Sequence, residues 1–215
     1  FSYNIYKQNF YRTNFIYGFG RNEDVPQGIK VGVIAGYINK QGARRGYYGT
    51  ELELNHISQK GCLYSYTVRA GGFVNATSFQ DVDLLVSLNH FSKLNTLNKY
   101  WYNRNYMTVS YTRQINPFLN QPLFIDSEFG LPYYKRGLLE GEMRTSIKMQ
   151  SVFYHMKKFL GFRFAPFVFT DLCLLQPFGE SYSKTKGYPA LGAGVRTRNE
   201  NLVLGSMELK AFYFP

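Results

Sequence analysis

A side-chain period of two, sustained over segments of about ten residues, constrains this chain most, because a strand places successive side chains on opposite faces. From Asn105 to Arg113 the odd positions carry Met107, Val109 and Tyr111 between polar ends, while the even ones carry Tyr106, Thr108, Ser110 and Thr112. From Arg144 to Tyr154, Ile147, Met149 and Phe153 share one face, and Arg144, Ser146, Lys148 and Gln150 the other. From Tyr47 to Ile57, Tyr48, Leu52 and Leu54 oppose Glu51, Glu53 and Asn55. Helical spacing fits none of these. Further strands are predicted at Phe10–Phe19, Ile29–Tyr37, Leu63–Phe73, Asp81–Phe91, Phe162–Leu174, Tyr188–Arg198 and Leu202–Phe214, so the fold class is all-β with about ten antiparallel strands.

Strands of this length suit a tilted crossing of a bilayer, whereas soluble strands average about five or six residues. Glu51, Glu53, Asp81, Asp83, Lys148 and Glu208 lie in mid-strand, as a polar lumen allows. A transmembrane β-barrel is therefore expected. The alternative is a soluble ligand-binding β-sandwich, which also alternates. Connections at Asn116–Met143 and Leu175–Gly187 are long, and those at Lys157–Gly161 and Asn199–Asn201 are tight. That matches long loops on one side of a barrel and short turns on the other, except that Ser92–Arg104 is long on the short side.

Composition adds to this reading without deciding it. The 215 residues include 19 Tyr and 19 Phe against one Trp, with only 18% charged. Such aromatics favour strands and also populate the interfacial girdles of membrane barrels. No composition shift divides residues 1–215, which are treated as one unit. The net charge of +11 admits nucleic acid, anionic lipid headgroups or a basic channel interior. No RNP1-like run, zinc knuckle or helix-turn-helix pattern is present, so nucleic acid is not the expected partner. No apolar stretch reaches the length of a membrane-spanning helix. Phe1-Ser2-Tyr3-Asn4 lacks the regions of a signal peptide and begins in strand-like sequence, so the chain is read as a mature or trimmed fragment.

Candidate sites are few. Cys62 and Cys173 have no metal or redox spacing, and Cys173 has no assignable base. His56, His90 and His155 fall on separate strands without carboxylates at ligand spacing, so no metal is expected; they are read as interfacial or wall residues. Asp81 with Asp83, and Glu51 with Glu53, place carboxylates about 7 Å apart on one strand face. They are read as lumen charges neutralising Lys148, Arg163, Arg196 and Lys210, with no catalytic residue and no cofactor. Gly18-Phe19-Gly20-Arg21 and Gly192-Ala193-Gly194 lack the rest of a phosphate loop. Asn75-Ala76-Thr77 has the form of a glycosylation acceptor and is given no weight in a bacterial barrel. Lys40, Arg44, Arg45, Lys184 and Lys186, near the long-loop side, are candidates to meet lipopolysaccharide.

From about Asn105 onward three runs stand out: Gly130-Leu131-Pro132-Tyr133-Tyr134 followed by Glu140 to Gln150, then Gly161 to Asp171, then Leu191-Gly192-Ala193-Gly194-Val195-Arg196. In these runs the chain resembles the C-terminal barrel of the Omp85 superfamily (bacterial surface antigen), in a form like that of Bacteroidetes outer membranes. The resemblance implies a bacterial outer-membrane barrel of about sixteen strands, to which the present ones contribute. With Met207–Phe214 resembling a penultimate strand, further strands are expected before Phe1 and after Pro215, unless these ten close alone. It also implies a lumen-inserted loop motif at Gly130, Leu131, Pro132, Tyr133 and Tyr134, with Gln150, Arg163 and Asp171 as polar partners. The family's loop arginine corresponds to Pro132 and its strand glutamate to Gln150. Both members of that ion pair are thus replaced, which is physically easier than losing one. Tyr133 and Tyr134 are then expected to dock the loop by packing and hydroxyl hydrogen bonds, and Asp171 to find its cation in Lys135, Arg136 or Arg163. Functionally, the resemblance implies a non-enzymatic barrel that inserts or translocates polypeptides, or that anchors an N-terminal domain such as a patatin-like lipase. A passive solute channel is the alternative. Partners in either case are outer-membrane lipids and lipopolysaccharide, with unfolded polypeptides or an N-terminal domain of the same chain.

Overall fold

A computed structural model describes residues 1–16, 18–19, 22–40, 42–75, 78–119, 122–199 and 206–215, with the backbone alone at 40 and 43. Ten long strands follow one another as an antiparallel meander: β1 (Ser2–Asn14), β2 (Asn22–Lys40), β3 (Ala43–Ile57), β4 (Leu63–Asn75), β5 (Ser78–Phe91), β7 (Trp101–Ile115), β10 (Met143–His155), β11 (Phe162–Gln176), β12 (Lys186–Asn199) and β13 (Met207–Tyr213). The two-residue β6 (Asn95–Thr96) pairs with β7, which makes this an 11-stranded sheet, and β8 (Leu123–Phe124) pairs with β9 (Glu140–Gly141) apart from it. Among the described residues the one helical turn, Tyr182–Lys184, is 3-10. Among the described residues β1 pairs only with β2 and β13 only with β12, so the sheet is open. Among the described residues the other sheet has two strands, so a partner layer of the size a sandwich needs is not found there.

Register turns the period of two into two chemically distinct faces. One row runs Ile5, Val31, Leu52, Val68, Val86 across five strands, every member exposed. Farther on, Leu88, Val109, Ile147 and Leu172 continue the same face. The opposite face carries Lys30, Glu53, Thr67, Ser87, Ser110 and Ser146 side by side, ending at Cys173. Two connections fold over this polar face and bury part of it, in good measure through their own apolar side chains.

The strand predicted at Phe10–Phe19 is β1, Ser2–Asn14, and the chain breaks out of it at Phe15, whose φ is 58°. Phe15 and Phe19 pack against Val152, Tyr154, Ala165 and Phe167, far across the polar face. An aromatic alternation resembles a strand whether its rings cover a sheet or plug one. The expected segregation of connections also fails. The end with connections 15–21, 58–62, 92–100 and 156–161 (the turn end) is fairly uniform, whereas the other (the loop end) holds the tightest, 41–42 and 76–77, beside the longest, 116–142. The Lys157–Gly161 turn closes with mutual backbone bonds between Phe159 and Phe162, at 2.8 and 2.9 Å. Residues 76–77 of the glycosylation-like run, 20–21 of the first glycine run, 200–201 of the tight turn and 202–205 of the last predicted strand lie outside the described residues.

Candidate functional site

The loop between β7 and β10 is rooted at its start by a buried ion pair. Asp81 sits at a β-bulge of β5 with φ 47°, where its amide donates to the Asn116 carbonyl at 2.9 Å. Its carboxylate accepts from Arg45 Nη1 at 2.5 Å and from the amides of Phe118 (2.5 Å) and Leu119 (3.1 Å). The Arg45 guanidinium lies 4.3 Å from the Phe73 ring centre and 5.6 Å from that of Phe118. Neither charged side chain is appreciably exposed. Arg45 is thus committed to the loop root and is withdrawn from the expected lipopolysaccharide-facing set; Arg44, Lys184 and Lys186 are exposed, and the Lys40 side chain lies outside the described residues.

Beyond its root the loop turns onto the polar face, held mostly through its own carbonyls. Arg144 donates to the Phe124 carbonyl, Lys148 Nζ to that of Glu128 at 2.6 Å, and Ser110 to that of Phe129 at 3.3 Å. Loop residues Ile125 and Leu131 are buried with Cys173, Leu175 and Ala190. Gly130 is required at its position, because a Cβ there would lie 2.1 Å from the Ile125 carbonyl oxygen. At the far end Gln176 donates to the Glu142 carboxylate at 3.2 Å.

Of the residues singled out in the sequence, Pro132, Tyr133, Gln150 and Asp171 line one cavity of about 580 Å³, between the loop and the wall of β7, β10, β11 and β13. Gly130 and Leu131 form the loop body behind it. Tyr133 packs on Phe212 at 4.5 Å between ring centres, and Tyr134 on Phe214 at 5.4 Å and Tyr188 at 5.9 Å. Docking is by rings alone: neither tyrosine hydroxyl has a hydrogen-bond partner among the described residues. Gln150 accepts from Arg196 Nη2 at 3.1 Å, and Arg196 also pairs with Glu208.

Asp171 corrects a second expectation. Lys135, Arg136 and Arg163 do not reach it; the cations sharing its cavity are Lys148, opposite it in register, and Lys210. Arg163 stands apart, donating to the Phe19 carbonyl at 3.1 Å. The charges expected to line a lumen also pair locally rather than across the sheet. Glu51 joins Arg69 at 2.9 Å and Lys30 at 3.4 Å, and Glu208 joins Arg196 and Lys210. Adjacent strands already bring opposite charges into contact, so the carboxylates of β3 and β5 do not serve the cations of β10–β13.

The second segment laid onto the polar face brings Phe15 and Phe19 in from the turn end. The Tyr106 and Tyr154 hydroxyls lie 2.7 Å apart and together hold the Phe15 carbonyl, at 3.0 and 3.2 Å. The Ile16 amide donates to Glu23 at 2.8 Å. Tyr106 also lines the cavity, which therefore lies between the two inserted segments. Its floor is aromatic. The rings of Phe169 and Phe167 lie over Gly192 and Gly194, where a Cβ would meet them at 2.2 and 2.4 Å, so glycine on β12 makes room for the rings. The three histidines lie on the opposite, outward face by register, His90 against Tyr64 and His155 against Trp101, both at 4.7 Å. Cys173 is buried beneath the loop.

These features define a large open antiparallel sheet with one apolar and one polar face, the polar face covered in part by a loop from one end and a turn from the other. No family model matches the sequence, and no curated protein or solved structure matches it.

Proposed function

We propose that the chain is wall of a bacterial outer-membrane β-barrel of Omp85 type, serving polypeptide insertion or translocation, or anchoring an N-terminal domain. One observation carries the membrane part of this reading. The face of the sheet that would meet hydrocarbon is apolar in registered rows, and the face that would line a lumen is polar, on strands of 13 to 19 residues for β1–β5, β7 and β10–β12. A crossing strand needs about 9–11 residues, so these have length to spare. In water the apolar face would be an exposed patch far larger than monomers tolerate. Closure brings β1 and β13 into pairing, directly or through further strands, which removes both exposed edges.

The two inserted segments favour a gated or anchoring barrel over an open passive channel. The loop motif supports the Omp85 resemblance through its position, although Pro132 stands in place of the arginine. The test is migration on gels with and without boiling, using protein extracted in detergent from outer membranes, followed by conductance in planar bilayers. A boiling-dependent shift with little conductance is expected. No shift together with solubility in the absence of detergent would contradict the barrel, and steady large conductance would move the reading to a passive channel.

A further inference from the structure

The turn end carries a surface that neither the lumen nor the loop explains. Connections 58–62, 92–100 and 156–161 contain Lys60, Lys93, Lys99, Lys157 and Lys158, all exposed, and no Asp or Glu. Lys157 Nζ lies 4.1 Å from the Tyr100 ring centre and Lys99 Nζ 5.6 Å from the same ring, so two connections converge on one aromatic. A Cβ at Gly61 would lie 3.9 Å from the Lys93 Cβ, which brings the third connection alongside. Between the lysines stand large apolar side chains in the open: Leu97 at 55% exposure, Phe159 at 67% and Leu160 at 81%.

On the outward face, next to these connections, register places His56, Tyr64 and His90 in one row, with Trp101 against His155 farther along. Beyond that belt lies the apolar band of Leu52, Val68 and Val86. Along the strand direction the order is therefore lysine with exposed apolar tips, then amphipathic rings, then hydrocarbon-like surface. That is the sequence of environments in one bilayer leaflet: headgroup, interface, acyl chain. The lysines add a sign to it, since clustered cations beside a membrane select anionic headgroups. A solvated rim would not need Phe159 and Leu160 at its tips, and a nucleic-acid groove would not need the rings to continue into an apolar band.

We infer that the turn end is a docking surface for anionic phospholipid headgroups, with Lys60, Lys93, Lys99 and Lys157 as the phosphate-facing cations. This rests on the barrel reading and adds to it the lipid class of one leaflet. Trp101, the chain's single tryptophan, sits inside the surface and reports on it. The probe is quenching of Trp101 fluorescence in vesicles mixing phosphatidylcholine and phosphatidylglycerol, with bromine on the acyl chains of one lipid or the other. Brominated phosphatidylglycerol should quench at least about twofold more than brominated phosphatidylcholine at equal content. The preference should fall with added salt and vanish in K60Q/K93Q/K99Q/K157Q, but persist in the loop-end control R44Q/K184Q/K186Q. Equal quenching by both lipids, or a preference that survives the four substitutions, would overturn the docking surface while leaving the barrel intact. Quenching by neither lipid would place Trp101 outside the membrane and overturn both.

Discussion

Arg45 and Asp81 show what one buried pair does for a loop. The carboxylate is shared between the guanidinium and two loop amides, so it fixes where the β7–β10 connection leaves the sheet. Removing one partner leaves the other charge buried and uncompensated, a cost of about 3–5 kcal/mol. Arg45→Met and Asp81→Asn should each destabilise by about that much, and the double substitution by clearly less than the sum, in a double-mutant cycle of chemical unfolding. Additive losses would mean that the two side chains act separately. Gly130 makes a second test at this scale. The Cβ added in Gly130→Ala collides with backbone rather than a yielding side chain, so the loop must lift. Limited proteolysis should then cut within 118–139 at least about tenfold faster than in the parent, with the strands still protected; unchanged cleavage would show that the loop absorbs the methyl in place.

At the scale of elements, the inserted turn and the inserted loop are held differently, and this decides how each yields. Phe15 is anchored by burial against an aromatic nest, with Tyr154 at 4.9 Å and Tyr102 at 6.0 Å. Phe15→Ala should cost about 3–5 kcal/mol, as truncation of a buried Phe does, and should raise conductance by freeing the turn end. Unaltered stability would place the ring outside the nest. The strands themselves were legible in the sequence because alternation is written locally. The predicted Asn105–Arg113 lies within β7, Arg144–Tyr154 within β10, and Leu63–Phe73 within β4. Neither Arg144 nor Lys148 could be seen as a clasp, since each grips a carbonyl 20 residues away that any residue could supply. The turn plug was illegible for a related reason. Phe15 and Phe19 have strand-forming composition, and their partners lie far downstream, from Leu94 to Phe169. That residues 130–134 would be special was suggested only by resemblance; their aromatic docking onto Phe212 and Phe214 was not foreseeable, because it depends on the register of β13.

For the whole molecule, an apolar outer face over a polar inner face makes the two sides of one strand respond oppositely to charge. Val86 and Leu172 are outward and exposed, whereas Thr108 is inward beside the cavity. Val86→Arg or Leu172→Arg should destabilise the folded protein in lipid vesicles by about 2–4 kcal/mol, the cost at a bilayer midplane, and Thr108→Arg by much less. Equal effects would contradict the assignment of faces. The most direct measurement scans single cysteines, in a background with Cys62 and Cys173 replaced, through Leu84 to Leu88 and Ile147 to Ser151 of the bilayer-reconstituted protein. Spin labels at each position would report collision with oxygen and with a water-soluble nickel chelate. The expected result is strict alternation: Leu84, Val86, Leu88, Ile147 and Met149 favouring oxygen, with Ser87 and Gln150 not. Uniform access of the nickel chelate to both sets would contradict the membrane-facing wall.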